Sequence, residues 1–225
     1  MSIHLHRDLE SLQRRVVAMA SAVEQRVERA IRAVMTADSE LAQSLLESDL
    51  TIDMQENRVE EDCLKILALH QPVAIDLRRV AAILKINTDL ERMGDLAVNI
   101  AERANALAQG RPVPIPPTFR QMTDLTNTMV RDSLDAFVNL NVDLAKRVCR
   151  MDDEVDRFNR EIIEREIRFM KQAPENVEAG LHLFSAARHL ERIADHATNI
   201  AEDVVYLVEG KIIRHHPEAL AVAPT

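Results

Sequence analysis

The chain has 225 residues, of which 47% are hydrophobic, and a formal net charge of −9 with an isoelectric point near 5.4. That apolar content supports a packed core of one large or two modest domains and excludes disorder as the dominant state, while the acidic balance excludes a general nucleic-acid binder, because phosphate contacts need a basic surface. Four glycines, eight prolines and no tryptophan, alongside many Ala, Leu, Glu and Arg, predict an all-α protein.

The opening MSIHLHRDLESLQRR has no apolar stretch behind its basic residues and does not read as a secretory leader. From Leu9 onward a helical stripe runs through Leu12, Val16, Met19, Val23, Val27, Ala30, Ile31 and Val34. Asp38 or Ser39 can cap a second helix, with Leu41, Leu45, Ile52, Val59, Cys63, Ile66 and Leu67 on its apolar face, which stops before His70-Gln71-Pro72. A third stripe, Leu77, Val80, Ile83, Leu84, Leu90, Leu96, Ile100 and Leu107, ends with Gly110 in the position that follows a helix. GRPVPIPP, residues 110–117, cannot continue a helix and reads as a linker. Beyond it the pattern repeats: helices from about Thr118 to Asn139 and Asn141 to Gln172, a break at Ala173-Pro174, and a last helix to about Gly210. The expected division is a three-helix bundle over 1–110, a linker over 111–117, a second bundle over 118–215 and a loose tail over 216–225, six long helices in all.

No run approaches the roughly 18 apolar residues that span a bilayer. Cys63 and Cys149 lack metal-type spacing and read as buried free thiols of a reducing compartment. A cytoplasmic protein is expected, meeting a membrane only through partners.

The halves are copies of one unit. DLERMGDLAVNIAE at 89–102 aligns with HLERIADHATNIAE at 189–202, with Pro72 against Pro174 upstream. Within the copies lie four segments of the form acid-xxx-Asp: Asp49 with Asp53, Glu91 with Asp95, Asp152 with Asp156, and Glu191 with Asp195. That spacing puts both carboxylates on one helical face, at a cost of about 0.2–0.5 kcal/mol per like-charged pair unless something neutralises them. Counting from the turns at Gln71 and Ala173 brings the pairs of each antiparallel hairpin to the same level. Four carboxylates facing one another need a proton, a basic neighbour or a cation, and an all-oxygen shell favours Mg²⁺, Mn²⁺ or Ca²⁺, with iron or zinc further options. Asn57, Asn99, Glu102, Asn199 and Glu202 extend the motifs as secondary candidates. His189 and His196 are optional ligands at best, because Asp89 and Leu96 stand in their places in the first copy. The bland alternative is a set of surface ion pairs with Arg58, Arg92, Arg157 or Arg192.

At these residues the chain resembles the PhoU family of phosphate-signalling regulators, in the QPVAIDLRRV segment, in the LERxxD core of both halves and in the closing VVYLVEGK. The resemblance implies two tandem three-helix bundles and a cytoplasmic negative regulator of the phosphate-starvation response. Such a protein couples a phosphate-specific ABC transporter, through its ATPase subunit, to a membrane sensor histidine kinase. It also implies metal binding at the eight motif carboxylates. One departure is visible: the family's usual LERIGD reads LERIAD at 190–195, with Ala194 in place of the glycine matched by Gly94. A homodimer is expected of such long bundles. No catalytic constellation accompanies the acids, so the leading reading is an adaptor rather than an enzyme. The competing reading is a carboxylate-bridged dimetal enzyme or metal-storage bundle. It falls behind because no histidine has a glutamate three residues before it.

Overall fold

A computed structural model describes residues 3–47, 50–111 and 113–213. Among them there are seven α-helices and no strand: α1 (Ile3–Thr36), α2 (Ser39–Leu46), α3 (Leu50–His70), α4 (Ala74–Gln109), α5 (Pro117–Asn139), α6 (Val142–Gln172) and α7 (Val177–Glu209), with a 3₁₀ turn at Pro174–Asn176 before α7.

Local chemistry accounts for most boundaries. Asp38 caps α2, its Oδ1 accepting from the Leu41 N–H at 2.9 Å, and Asn141 caps α6 in the same way through the Leu144 N–H at 3.0 Å. Pro117 opens α5, where its missing N–H costs nothing. Gly210 ends α7 at φ 72°, the left-handed conformation that glycine adopts freely.

Two expectations are corrected. The single second helix is in fact two, α2 and α3, separated around Glu47, which has no glycine or proline near it to announce the break. Gly110 follows α4 in an extended conformation (φ −86°, ψ −168°), not the left-handed one, as suits a residue entering a proline-rich strap. The tail at 216–225 lies outside the described residues.

The apolar stripes read from the sequence form the core: Leu12, Val16, Met19 and Val23 of α1 are fully covered, as are Val80, Ile83, Ile86 and Leu90 of α4. α1, α3 and α4 pack together with α2 laid on α4, and α5, α6 and α7 form the second unit. Among the described residues α4 and α7, the third long helix of each copy, pack on each other as extensively as α6 and α7 do within the second copy. They run antiparallel: Lys85 Nζ reaches Asp203 Oδ1 at 2.9 Å, and His196 Nδ1 meets Asp89 Oδ1 at 2.7 Å. The copies are thus joined back to back by a polar seam, in which Asn199 Nδ2 also donates to Asp89 at 3.2 Å. One continuous apolar core runs through both units.

Cys63 and Cys149 are buried free thiols, pushed up to about 12 by burial foremost. Glu166 of α6 is 2% exposed, and its Oε2 has no hydrogen-bond partner. Burial pushes its carboxyl above the ordinary glutamate value, with Arg165 opposing. A raised folded-state value means that the folded protein holds this proton more tightly than the unfolded chain, so stability falls as pH rises through that window. Glu166→Gln is expected to stabilise the protein by about 1 kcal/mol near neutral pH and to flatten that slope, as read from urea unfolding at several pH values.

No helix among the described residues is long and apolar enough to cross a membrane.

Candidate functional site

The facing levels counted from the turns are realised. In the first hairpin the Glu56 carbonyl accepts from Asn87 Nδ2 at 3.1 Å, and Ile52 lies against Gly94, which sets Asp53 of α3 level with Glu91 of α4. In the second, Thr198 Oγ1 donates to Asp152 Oδ1 at 3.2 Å, placing Asp152 and Asp156 of α6 opposite Asp195 and Glu191 of α7.

Both hairpins are under electrostatic stress. Burial, reinforced by the hydrogen bond and charge of Asp95, lifts Glu91 from an ordinary 4.5 to about 7, with Arg92 opposing and Glu56 adding to the rise. Burial lifts Asp152 from 3.8 to about 6, helped by Asp195, Asp156 and Asp153 and opposed by Thr198. Glu191 and Asp195 are raised as well, each by burial first and then by a facing or neighbouring carboxylate. These acids bind a proton more tightly than free carboxyls do, because they are buried and the fold brings like charges together.

Asp49 lies outside the described residues. Asp53 is exposed, and Asn57 turns its side chain back to the Asp53 carbonyl at 2.9 Å instead of outward. Asn99 is half-buried. Glu102 is exposed and bridged by Arg103 at 2.7 Å, on the side of α4 that faces His189 of α7, so it does not join Glu91 and Asp95. Asn199 is taken up by Asp89 in the seam. Glu202 lies near Cys149 and Asp152, along the α6–α7 face.

One further acid lies outside the acid-xxx-Asp motifs. Glu56, half-buried on α3, is raised by burial and by Glu60, Asp53 and Asp95, and it in turn raises Glu91. It links the two sides of the first hairpin. Its place three residues after Asp53, on the same helical face, is the signal that would have found it.

The ion pairs are only partly those foreseen. Arg92 approaches Glu91 at 3.5 Å, but Arg157 pairs with Glu154 and Glu161 at 3.2 and 2.9 Å. Arg188 instead bridges Glu191 at 2.9 Å and Arg160 stands 3.9 Å from Asp156. The second hairpin therefore has arginines on both sides of its acids.

Gly94 and Ala194 also differ in surroundings. A Cβ at Gly94 would stand 3.1 Å from Ile52 Cδ1 and 3.9 Å from Arg26 Nη1, and Arg26 of α1 is buried. Glycine there admits both Ile52 of α3 and a buried guanidinium. In the second copy the matching Ala194 is itself fully covered.

Among the described residues no three His, Cys, Asp or Glu side chains already stand close enough to hold a metal ion. What the site offers is donor chemistry and charge: carboxylate oxygens raised in pKa by burial first and by one another next, which are the hard donors that a hard cation accepts.

The comparisons with known proteins agree with one another. The family profile described as PhoU domain matches residues 16–104 and 119–204, one match for each copy. A phosphate-specific transport system accessory protein PhoU homolog of Pseudomonas putida is 39% identical over 216 residues, covering 96% of this chain and 84% of that protein. The crystal structure of PhoU from Pseudomonas aeruginosa superposes with a TM-score of 0.89 at 39% identity, over 92% of this chain and 99% of that one. The phosphate transport system regulatory protein PhoU of Streptococcus pneumoniae superposes with a TM-score of 0.85 at 29% identity, over 92% and 98%.

Proposed function

This chain belongs to the PhoU family, and on that premise we propose that it serves a phosphate-specific transport system as a negative regulator of the phosphate-starvation response. It is an accessory protein and not an enzyme, as the family is. In this reading it acts in the cytoplasm as a homodimer, holding a sensor histidine kinase in its inactive state and restraining phosphate uptake through the transporter's ATPase subunit. Regulation needs only a differential affinity for two states of the partner.

The observation that carries the metal-binding part of the proposal is the carboxylate stress found in both hairpins, with Glu91 raised to about 7 in the first and Asp152 to about 6 in the second, where Glu191, the counterpart of Glu91, is raised as well. Asp53, Glu56, Glu91 and Asp95 would hold a cation in the first hairpin, with Asp49 as the remaining motif acid, and Asp152, Asp156, Glu191 and Asp195 would hold one in the second. Mg²⁺, Mn²⁺, Fe, Zn²⁺ and Ca²⁺ all accept such oxygen donors, the hard ions best. When bound, the ion supplies charge compensation and surface coordination positions, and no redox or hydrolytic step is assigned to it. The chain's own residues set the spacing: α3 against α4 and α6 against α7 fix where the donors start.

The test is co-purification of the tagged chain with the kinase and the transporter ATPase, with and without chelator, beside elemental analysis of the purified protein. Retention that falls on chelation supports the metal-dependent adaptor. Retention unaffected by chelator in a metal-containing protein would separate the metal from docking, and no retention of either partner overturns the adaptor reading.

A further inference from the structure

One end of the molecule differs from the rest of its surface. The α3–α4 turn, the N-terminus of α1, the α5–α6 turn and the C-terminus of α7 all lie there. His70 Nε2 meets Asp8 Oδ2 at 2.9 Å, the Arg78 guanidinium lies against Gly210, and Lys146 Nζ reaches Glu209 at 2.9 Å. Large apolar side chains project from this end into solvent: Leu69 is 67% exposed, Val73 74%, Ile75 48% and Leu77 45%, with Ile3 and Ile212 beside them. Isolated exposed apolar residues are ordinary, but several gathered at one turn mark a contact surface.

The backbone holds them out. Gln71 and Ala74 have φ of 43° and 51°, and Leu140 at the neighbouring turn has φ of 51°. Non-glycine residues adopt that region at a cost, and such strain gathers at functional turns. Val73 is extended between two of these residues, so its side chain is pushed away from the helices.

The charge around this tip runs against that of the protein. Over residues 64–79 the charged groups are Lys65, Arg78 and Arg79 against the single acid Asp76; with Arg7, Lys146, Arg147 and Lys211 against Asp8, Glu10, Asp143 and Glu209 on the other segments at this end, the balance is modestly positive in a chain of net charge −9. The equivalent tip of the second copy lies at the opposite end of the antiparallel α4–α7 pair and exposes Glu175 and Glu178 against Arg168 and Lys171, with no excess of cations. The second tip also exposes Ile167, Val177 and Leu181, so it is the charge that sets the first tip apart.

Apolar side chains rimmed by cations match an anionic bilayer surface, where acyl chains receive the former and phosphate headgroups the latter. We propose that this end is a peripheral docking face for anionic phospholipid, formed by Leu69, Val73, Ile75 and Leu77 with Lys65 and Lys211 at the rim. This goes beyond the adaptor reading and stands or falls apart from it, since it concerns direct contact with lipid. The contact is shallow and reversible, as a handful of side chains allows.

Flotation of the full chain with phosphatidylcholine vesicles, with and without phosphatidylglycerol, tests it. The expected result is binding to the anionic vesicles only, released by salt. Lys65→Glu with Lys211→Glu is expected to lower partitioning about tenfold or more, and Leu69→Gln with Val73→Ser to lower it comparably. Val177→Ser with Leu181→Gln, at the opposite tip, leaves it unchanged. All of these positions are exposed, and thermal melts verify folding; should the Leu69 and Val73 pair unfold, the charge reversal alone decides. Absence of binding to anionic vesicles, equal binding to neutral ones, or binding indifferent to both tip variants overturns the proposal. It is overturned too if the tip variants abolish capture of a purified protein partner while no vesicle binds, which makes the face a protein interface.

Discussion

Chelator-stripped protein titrated with Mn²⁺ or Mg²⁺ is expected to gain about 2.7 kcal/mol of stability per occupied site at a hundredfold excess over the dissociation constant, seen as a rise in Tm. Two sites make this the largest effect of any treatment considered. Glu91→Ala with Asp95→Ala should remove the first-hairpin share and leave the second, with calorimetric stoichiometry falling by half. Without metal the same variant should melt no lower than the parent, because it relieves a like-charge pair. Unchanged stoichiometry would sink the first site, and an unchanged Tm across all divalent ions would sink both.

The response has a definite pH dependence. Glu91 rises from 4.5 to about 7 through burial and Asp95, and Asp152 from 3.8 to about 6 through burial and Asp195. The folded, metal-free chain therefore binds more protons than the unfolded one between roughly pH 4 and 7, and loses stability as pH rises through that window. A cation competes for the same oxygens. Its stabilising effect should be small near about pH 5 and complete by about pH 8, the reverse of the metal-free trend.

The sequence made the helical stripes and the register of the hairpins legible, because both rest on local periodicity. Leu12, Val16 and Met19, or Val80 and Ile83, recur at helical spacing and are fully covered, and counting from Gln71 and Ala173 places Asp53 beside Glu91 and Asp156 beside Glu191. The break between α2 and α3 was not legible, since Glu47-Ser48-Asp49 carries no residue that forbids a helix. Glu56 was missed because an acid-xxx-Asp pattern asks for aspartate one turn on, whereas Glu56 acts from the intervening position on the same face. Arg188 and Arg160 lie three and four residues from the acids they meet and were within reach of the helical rule. The back-to-back union of the copies was beyond reach: Asp89 and His196 are 107 positions apart, and nothing local says that α4 meets α7.

That seam supports the second large prediction. His196 and Asp89 meet at 2.7 Å with side chains 18% and 13% exposed, so little water is at hand to replace either partner. His196→Leu installs the residue that the first copy carries at Leu96 and leaves Asp89 with Asn199 alone. The expected cost is about 1–3 kcal/mol, that of a covered acceptor losing a partner. Asp89→Leu should cost a similar amount, since it strands His196 and Asn199 together. The double variant removes both members of this pair, and its cost should fall short of the sum by about 1 kcal/mol or more in urea unfolding. Arg157 and Glu161, 2.9 Å apart on exposed α6 with side chains 50% and 48% exposed, serve as the control; such surface pairs couple by about 0.3–0.5 kcal/mol. If Asp89 and His196 couple no more strongly than that pair, the copies are joined by apolar packing of α4 on α7 and by Lys85 with Asp203, and Asp89 and His196 only ride on it.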